Sequence, residues 1–125
     1  MGVQIKNKEV MKNAVYTSVI PPVGVSVTKI SFSQGYNHIH VFNSGEMGAW
    51  GVALSEEAVA ANMNEDGTFD FNGDGILSAE IHYGLTVSMP KIKSVYLISD
   101  SQYNANKFRL AASDSAVFPY AITGV

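Results

Sequence analysis

The chain has 125 residues, 46% hydrophobic and only 15% charged, with a formal net charge of −3 and no cysteine. An ordinary soluble domain is roughly 25% charged, so much of this surface must be neutral polar or apolar. The length suits one domain with one core. Disulfides, thiol nucleophiles and cysteine-based metal sites are excluded, and no domain-wide basic footprint points to nucleic acid.

Charge is divided along the chain. Between Ile30 and Pro90 there is no lysine or arginine, but there are Glu46, Glu56, Glu57, Glu65, Asp66, Asp70, Asp74 and Glu80. The basic residues lie outside that span: Lys6, Lys8, Lys12 and Lys29 before it, Lys91, Lys93, Lys107 and Arg109 after it. An acidic middle with basic ends suits a chain that meets copies of itself, or another subunit, end to side.

The N-terminus, MGVQIKNKEVMKNAVY, contains no apolar run of the signal-peptide kind, and no stretch approaches the ~20 residues of a membrane helix. Gly2 would suit lipidation, but Lys6 stands where that motif needs Ser or Thr. The expectation is a protein made in a cytoplasm, not secreted by a signal peptide and not membrane-bound. Residues 1–22 read as an arm with a first strand, and residues 23–125 as the main domain.

Short runs of Val, Ile, Thr, Tyr and Phe, punctuated by Gly, Asn, Asp, Ser and Pro, predict strands through most of the chain. They fall near Val15–Ile20, Val25–Phe32, His38–Asn43, Trp50–Leu54, Thr68–Phe71, Leu77–Tyr83, Leu85–Met89, Ser94–Ser99, Lys107–Ala112 and Val117–Ile122. Pro21, Pro22 and Pro90 are expected to mark strand ends. Asn43–Ser44–Gly45, Asn72–Gly73 and Asp74–Gly75 supply turn chemistry. The exception is 55–62, where an N-cap Ser55 precedes Glu56 and Glu57 in a first turn, and one short helix is predicted. The fold class is therefore all-β, a single-domain, jelly-roll-like β-sandwich. Segments such as AWGVAL and SVYLIS are apolar on both faces. This requires either a covering layer from the same chain or a subunit interface.

Three constellations could carry chemistry. Asp70–Phe71–Asn72–Gly73–Asp74–Gly75 places oxygen side chains at positions 1, 3 and 5 and glycine at 6, with Ser78 at 9. Calcium takes six to eight hard oxygens, and three of them could come from this turn. Through these residues alone it resembles the calcium loop of EF-hand and dockerin proteins. It departs at position 12, which is Ile81 with Glu80 one place early, so Glu65 or Asp66 would have to supply a further ligand. The competing reading is a β-hairpin with Asn-Gly-Asp-Gly at its tip.

His38 and His40 alternate onto one strand face with Tyr36 and Phe42, while Ile39 and Val41 point the other way. With Glu46 downstream they resemble the first metal motif of cupins. The spacing differs, however, and only His82 remains as a further histidine. A Zn or Fe site needs three or four converging ligands. The competing reading is a pair of surface or interface histidines.

Trp50, between Gly48 and Gly51, is either core or a ring for stacking a sugar or meeting a partner. No Gly-x-Ser-x-Gly elbow, phosphate loop or His-Glu-x-x-His helix occurs, and no catalytic residue is assigned.

The stretch GYNHIHVFNSGEMGAWGVALS, then an acidic turn-rich segment, then KIKSVYLISDSQYNANKFRLAAS, resembles small β-sandwich proteins of tailed-phage virions. The likeness covers roughly residues 36–113. It implies a non-enzymatic capsid decoration (cement) or tail accessory protein, located in the virion. Its partners would be its own copies or a capsid shell. Lys6, Lys8, Lys12 and Trp50 are the interface residues expected on this reading. The alternatives are a calcium-assisted carbohydrate-binding module, using Asp70, Asn72 and Asp74, and a cupin-like metal-binding protein, using His38 and His40.

Overall fold

The computed structural model describes residues 7–11, 17–43, 49–78, 84–101 and 106–114. Its strands are β1 (Asn7–Met11), β2 (Thr17–Val19), β3 (Gly24–Asn43), β4 (Ala49–Ala53), β5 (Ile76–Ser78), β6 (Gly84–Ser101) and β7 (Phe108–Ser113). One helix, α1 (Glu56–Ala61), lies between β4 and β5. The all-β, single-domain class with a short helix near 55–62 is what the structure shows. Six of the seven strands run β2-β7-β3-β6-β4-β5, and the seventh, β1, adds to β3 in parallel while every other ladder is antiparallel.

Two strands are far longer than expected. The predicted 25–32 and 38–43 strands are one strand, β3, and 85–89 and 94–99 are one strand, β6. Pro90 therefore lies inside a strand rather than at its end. It is tolerated because the β3–β6 ladder is broken there: Ser31 pairs Ser94, then Tyr36 pairs Ile92, then His38 pairs Ser88. A residue with no N–H fits where no ladder bond is needed. At this corner Lys91 has φ 54, and its N–H donates to Asn37 Oδ1 at 3.0 Å. A Cβ on Gly35 would stand 3.0 Å from the Lys91 Cα, so glycine lets the two backbones approach closely here without a shift.

The corner doubles the sheet over. Trp50 on β4 and Phe108 on β7 are separated in strand order by β3 and β6, yet their rings lie 5.3 Å apart. Ile30, Phe32, Ile39, Val41, Trp50, Val52, Val87, Val95, Leu97, Phe108 and Leu110 fill the space between the two halves. Tyr36 belongs to this core as well, edge-on to Phe32 at 6.0 Å, because the register slip removes it from the histidine face. At one end the core is polar. Asn43 Nδ2 donates to Asn106 Oδ1, and Asn106 Nδ2 donates to Ser99 Oγ, both at 2.8 Å. The Lys107 N–H donates to Asn43 Oδ1 at 3.1 Å. All three side chains are fully buried, so each polar group needs these partners.

A second apolar cluster lies on the opposite face of β3, β4 and β6: Val27, Ala53, Tyr96 and Ile98. Val59 of α1 and Phe69 of the following segment cover it, joined by Ala58, Met63, Phe71 and Ile76. AWGVAL and SVYLIS are thus apolar on both faces because the chain supplies their covering layer. The expected strand at 68–71 does not form. Phe69 makes one isolated bridge to Met63, and its ring packs against Phe71 at 5.0 Å. Full burial of a Phe stabilises by about 1.5–3 kcal/mol, more than one ladder bond at about 1 kcal/mol. Packing therefore decides the conformation of this segment. The strand expected at 77–83 is described only over β5, which pairs with β4, and Val117–Ile122 lies outside the described residues.

The covering layer is locked by Asn62. Its Nδ2 donates to Ala58 O at 2.8 Å and to Asp74 O at 2.9 Å, and a Cβ on Gly73 would fall 1.6 Å from its Oδ1. Gly73→Ala should therefore push the 70–75 turn off the helix end. We expect a loss of about 2 kcal/mol, read as a lower midpoint in urea. An unchanged midpoint would mean that this contact does not hold the layer.

Candidate functional site

Two regions place the sequence-predicted residues together. The first is the covering layer. Ser55 caps α1, its Oγ accepting from the Ala58 N–H at 3.1 Å, which sets Val59 inward and Glu56 and Glu57 outward. Beyond the helix, Asp66 Oδ1 accepts from the Thr68 hydroxyl at 2.6 Å and from its N–H at 3.0 Å. These two bonds, the hydroxyl foremost, hold the Asp66 carboxyl below its ordinary range. Glu56, Glu57, Glu65, Asp66, Asp70 and Asp74 are all exposed on this one layer.

Within it, Asp70, Asn72 and Asp74 form a turn, not a hairpin tip, since the segment before them is not a strand and β5 pairs elsewhere. Asp70 Oδ1 accepts from the Asn72 N–H at 3.0 Å. The Gly73 N–H donates to Asp70 O at 3.3 Å, and the Ile76 N–H donates to Gly73 O at 3.2 Å. Gly75 has φ +83, the left-handed conformation that the sixth position of such a turn requires. Asp66 Oδ1 is turned to Thr68 rather than to this turn. Ile81 and Glu80 lie outside the described residues.

The second region is the outer face of the other half-sheet. His38, His40 and Phe42 share that face, and Ile39 and Val41 face the core as expected. His38 Nδ1 meets Ser88 Oγ at 2.8 Å, and His40 Nδ1 meets Thr86 Oγ1 at 2.8 Å. Each imidazole is thus tied across the β3–β6 ladder to a hydroxyl. Glu46 and His82, the other residues of the cupin-like set, lie outside the described residues. Among the described residues no three His, Asp or Glu converge as a metal site.

Trp50 belongs to neither region. It is 1% exposed and packed in the core, so it offers no ring to a sugar or a partner surface. The expected interface role is corrected: neighbouring Gly51 and Ala53 lie on the face that α1 and its following segment cover, while the indole fills the inner one. Of the basic arm, Lys6 and Lys12 lie outside the described residues, and only the backbone of Lys8, in β1, is described. Sequence reasoning missed the Asn43–Asn106–Ser99 network. Asn43 reads as a turn residue, and nothing in its spacing marks Asn106 as its partner.

No protein-family model matches the chain, and no curated protein matches it in sequence. Among solved structures, it is similar to the pre-peptidase C-terminal domain of collagenase from Bacillus anthracis, at 14% identity and a TM-score of 0.34. The match covers 89% of this chain and 98% of that one. Similarity at that level assigns this chain neither a fold family nor an activity. No helix among the described residues is long and apolar enough to cross a membrane.

Half-burial lowers the His40 pKa from its ordinary 6.5 by desolvation of the charged ring. In the unfolded chain the proton is taken up first as pH falls, so stability is flat above 6.5 and declines below it. Asp66 acts in a separate window: its lowered pKa adds stability above 3.8 that is lost only as pH falls further. His40→Gln should therefore flatten the fall in Tm between pH 7 and pH 5 without altering the fall below pH 4. Parallel Tm–pH curves for the two proteins would remove His40 as the source.

Proposed function

We propose that this chain is a non-enzymatic structural protein that assembles with its own copies or onto a larger protein shell, as capsid decoration or tail accessory proteins of phage particles do. The observation that supports it best is the spatial division of charge. Six carboxylates project from one covering layer that carries no lysine or arginine, while Lys91 and Lys93 are exposed at the corner and Lys8 lies in β1. Apolar surface is also on hand, since Ile20 and Val23, on either side of Pro21–Pro22, are 57% and 50% exposed. Burial at about 25 cal/mol/Å² makes a few hundred Å² of such surface sufficient to drive association, with charge setting its orientation.

Molar mass by light scattering tests this. We expect a defined oligomer that weakens as salt rises, because exposed pairs are screened beyond ~8–10 Å. Reversing Lys6, Lys8 and Lys12 to Glu should dissociate it further. A monomer at every concentration, alone and with a candidate shell protein, would defeat the proposal.

A second reading is favoured by the turn at 70–75: calcium bound by Asp70, Asn72 and Asp74. Three exposed oxygen side chains on a turn with the required left-handed Gly75 fit a hard cation but fall short of a full shell, so affinity should be no tighter than about 10⁻⁴ M. Calorimetric titration with calcium should show that weak heat and lose it in Asp70→Ala. Equal heat from the variant would place any bound ion elsewhere. With Trp50 buried, the carbohydrate-stacking part of this alternative would have to rest on surface tyrosines instead.

A further inference from the structure

β1 is unlike every other strand. It is the one parallel strand of the described sheet, and its ladder is with β3 alone: Asn7↔Thr28, Lys8↔Lys29, Glu9↔Ile30, Val10↔Ser31 and Met11↔Phe32. Parallel pairing is slightly weaker per residue than antiparallel. The backbone register sets Lys8 across from Lys29. Lys29 is held in place over the Tyr96 ring, 5.7 Å from its centroid. The strand is thus held by one parallel ladder, and the β3 edge beneath it is a template for strand addition whenever β1 leaves.

The path of the chain points to what takes its place. β1 lies against the first half of β3, while β2 lies on β7, which pairs with the second half of β3 beyond the corner. Only residues 12–16 join them, and a short connection of this kind favours exchange of the element it tethers. A second copy supplies the same five residues in the same register, so every backbone bond is remade between chains. The exchange is reciprocal and leaves no open edge. Ile20 and Val23, exposed and next along the chain, provide apolar surface for the contact that the exchange creates.

Resting on the assembly reading above, we propose that β1 is exchanged between two copies, Asn7–Met11 of each pairing with Thr28–Phe32 of the other. The chain has no cysteine, so single thiols report without interference. Lys8→Cys and Lys29→Cys, each in a separate chain, are unfolded, mixed and refolded, then treated with a short bismaleimide. Neither chain can link within itself. Exchange gives a covalent heterodimer in several-fold excess over either homodimer, and Val10→Cys with Ser31→Cys gives the same result if the first pair folds poorly. Heterodimer no more abundant than homodimers overturns the exchange. If the unmodified protein is then still oligomeric by light scattering, the exchange alone has failed. If it is monomeric, the assembly reading fails with it.

Discussion

At the corner where Gly35 lies against Lys91, two long strands change register together, and the rest of the sheet is arranged around how they do so. A flat hairpin of this length would expose one apolar face to water. The slip from Ser31/Ser94 to Tyr36/Ile92 to His38/Ser88 lets β3 and β6 fold back on themselves, so that one continuous sheet supplies both walls of its own core. The cost is local. Lys91 sits in a backbone conformation that disfavours a side chain by about 1–2 kcal/mol, and its N–H is satisfied by Asn37. Burial of the inner residues far outweighs that cost.

Doubling leaves two outer faces, and the chain treats them differently. One is apolar, and α1 with the segment through Ile76 closes it, which moves the surface outward and lines it with carboxylates. The other stays open and polar, with imidazoles tied to hydroxyls across the ladder. One face is therefore lined with carboxylates, while the other presents imidazoles and, across from Phe42, Arg109. Such asymmetry matters more for orienting a neighbour than for holding one.

Much of this is legible in the residues, and the failures are physical. Ser55 with Glu56 and Glu57 marks the helix start because capping is a local interaction. The alternation of His38, Ile39, His40 and Val41 gives the correct faces because strand period is local too. The single strands β3 and β6 are not legible: Pro90 looks like a strand end, and only pairing with a distant partner on both sides of the corner makes each strand continuous. The Asp70–Gly75 turn is recognisable, but its attachment to Asn62 is not, since that depends on where α1 packs. The dual-faced apolar strands announce that something covers them without saying what, and the covering proves to be internal.

The same long pairing governs how the protein can be made. The β3–β6 ladder joins residues 46 and 50 positions apart at His40/Thr86 and His38/Ser88, and its outer end, Gly24 to Ser101, reaches further still. The first half of the chain therefore emerges with β3 lacking its β6 and β7 partners, and no sheet can close before β6 has been synthesised. Topologies dominated by such distant contacts fold in roughly milliseconds to seconds. During that interval β3 presents a long free edge to any other nascent copy nearby.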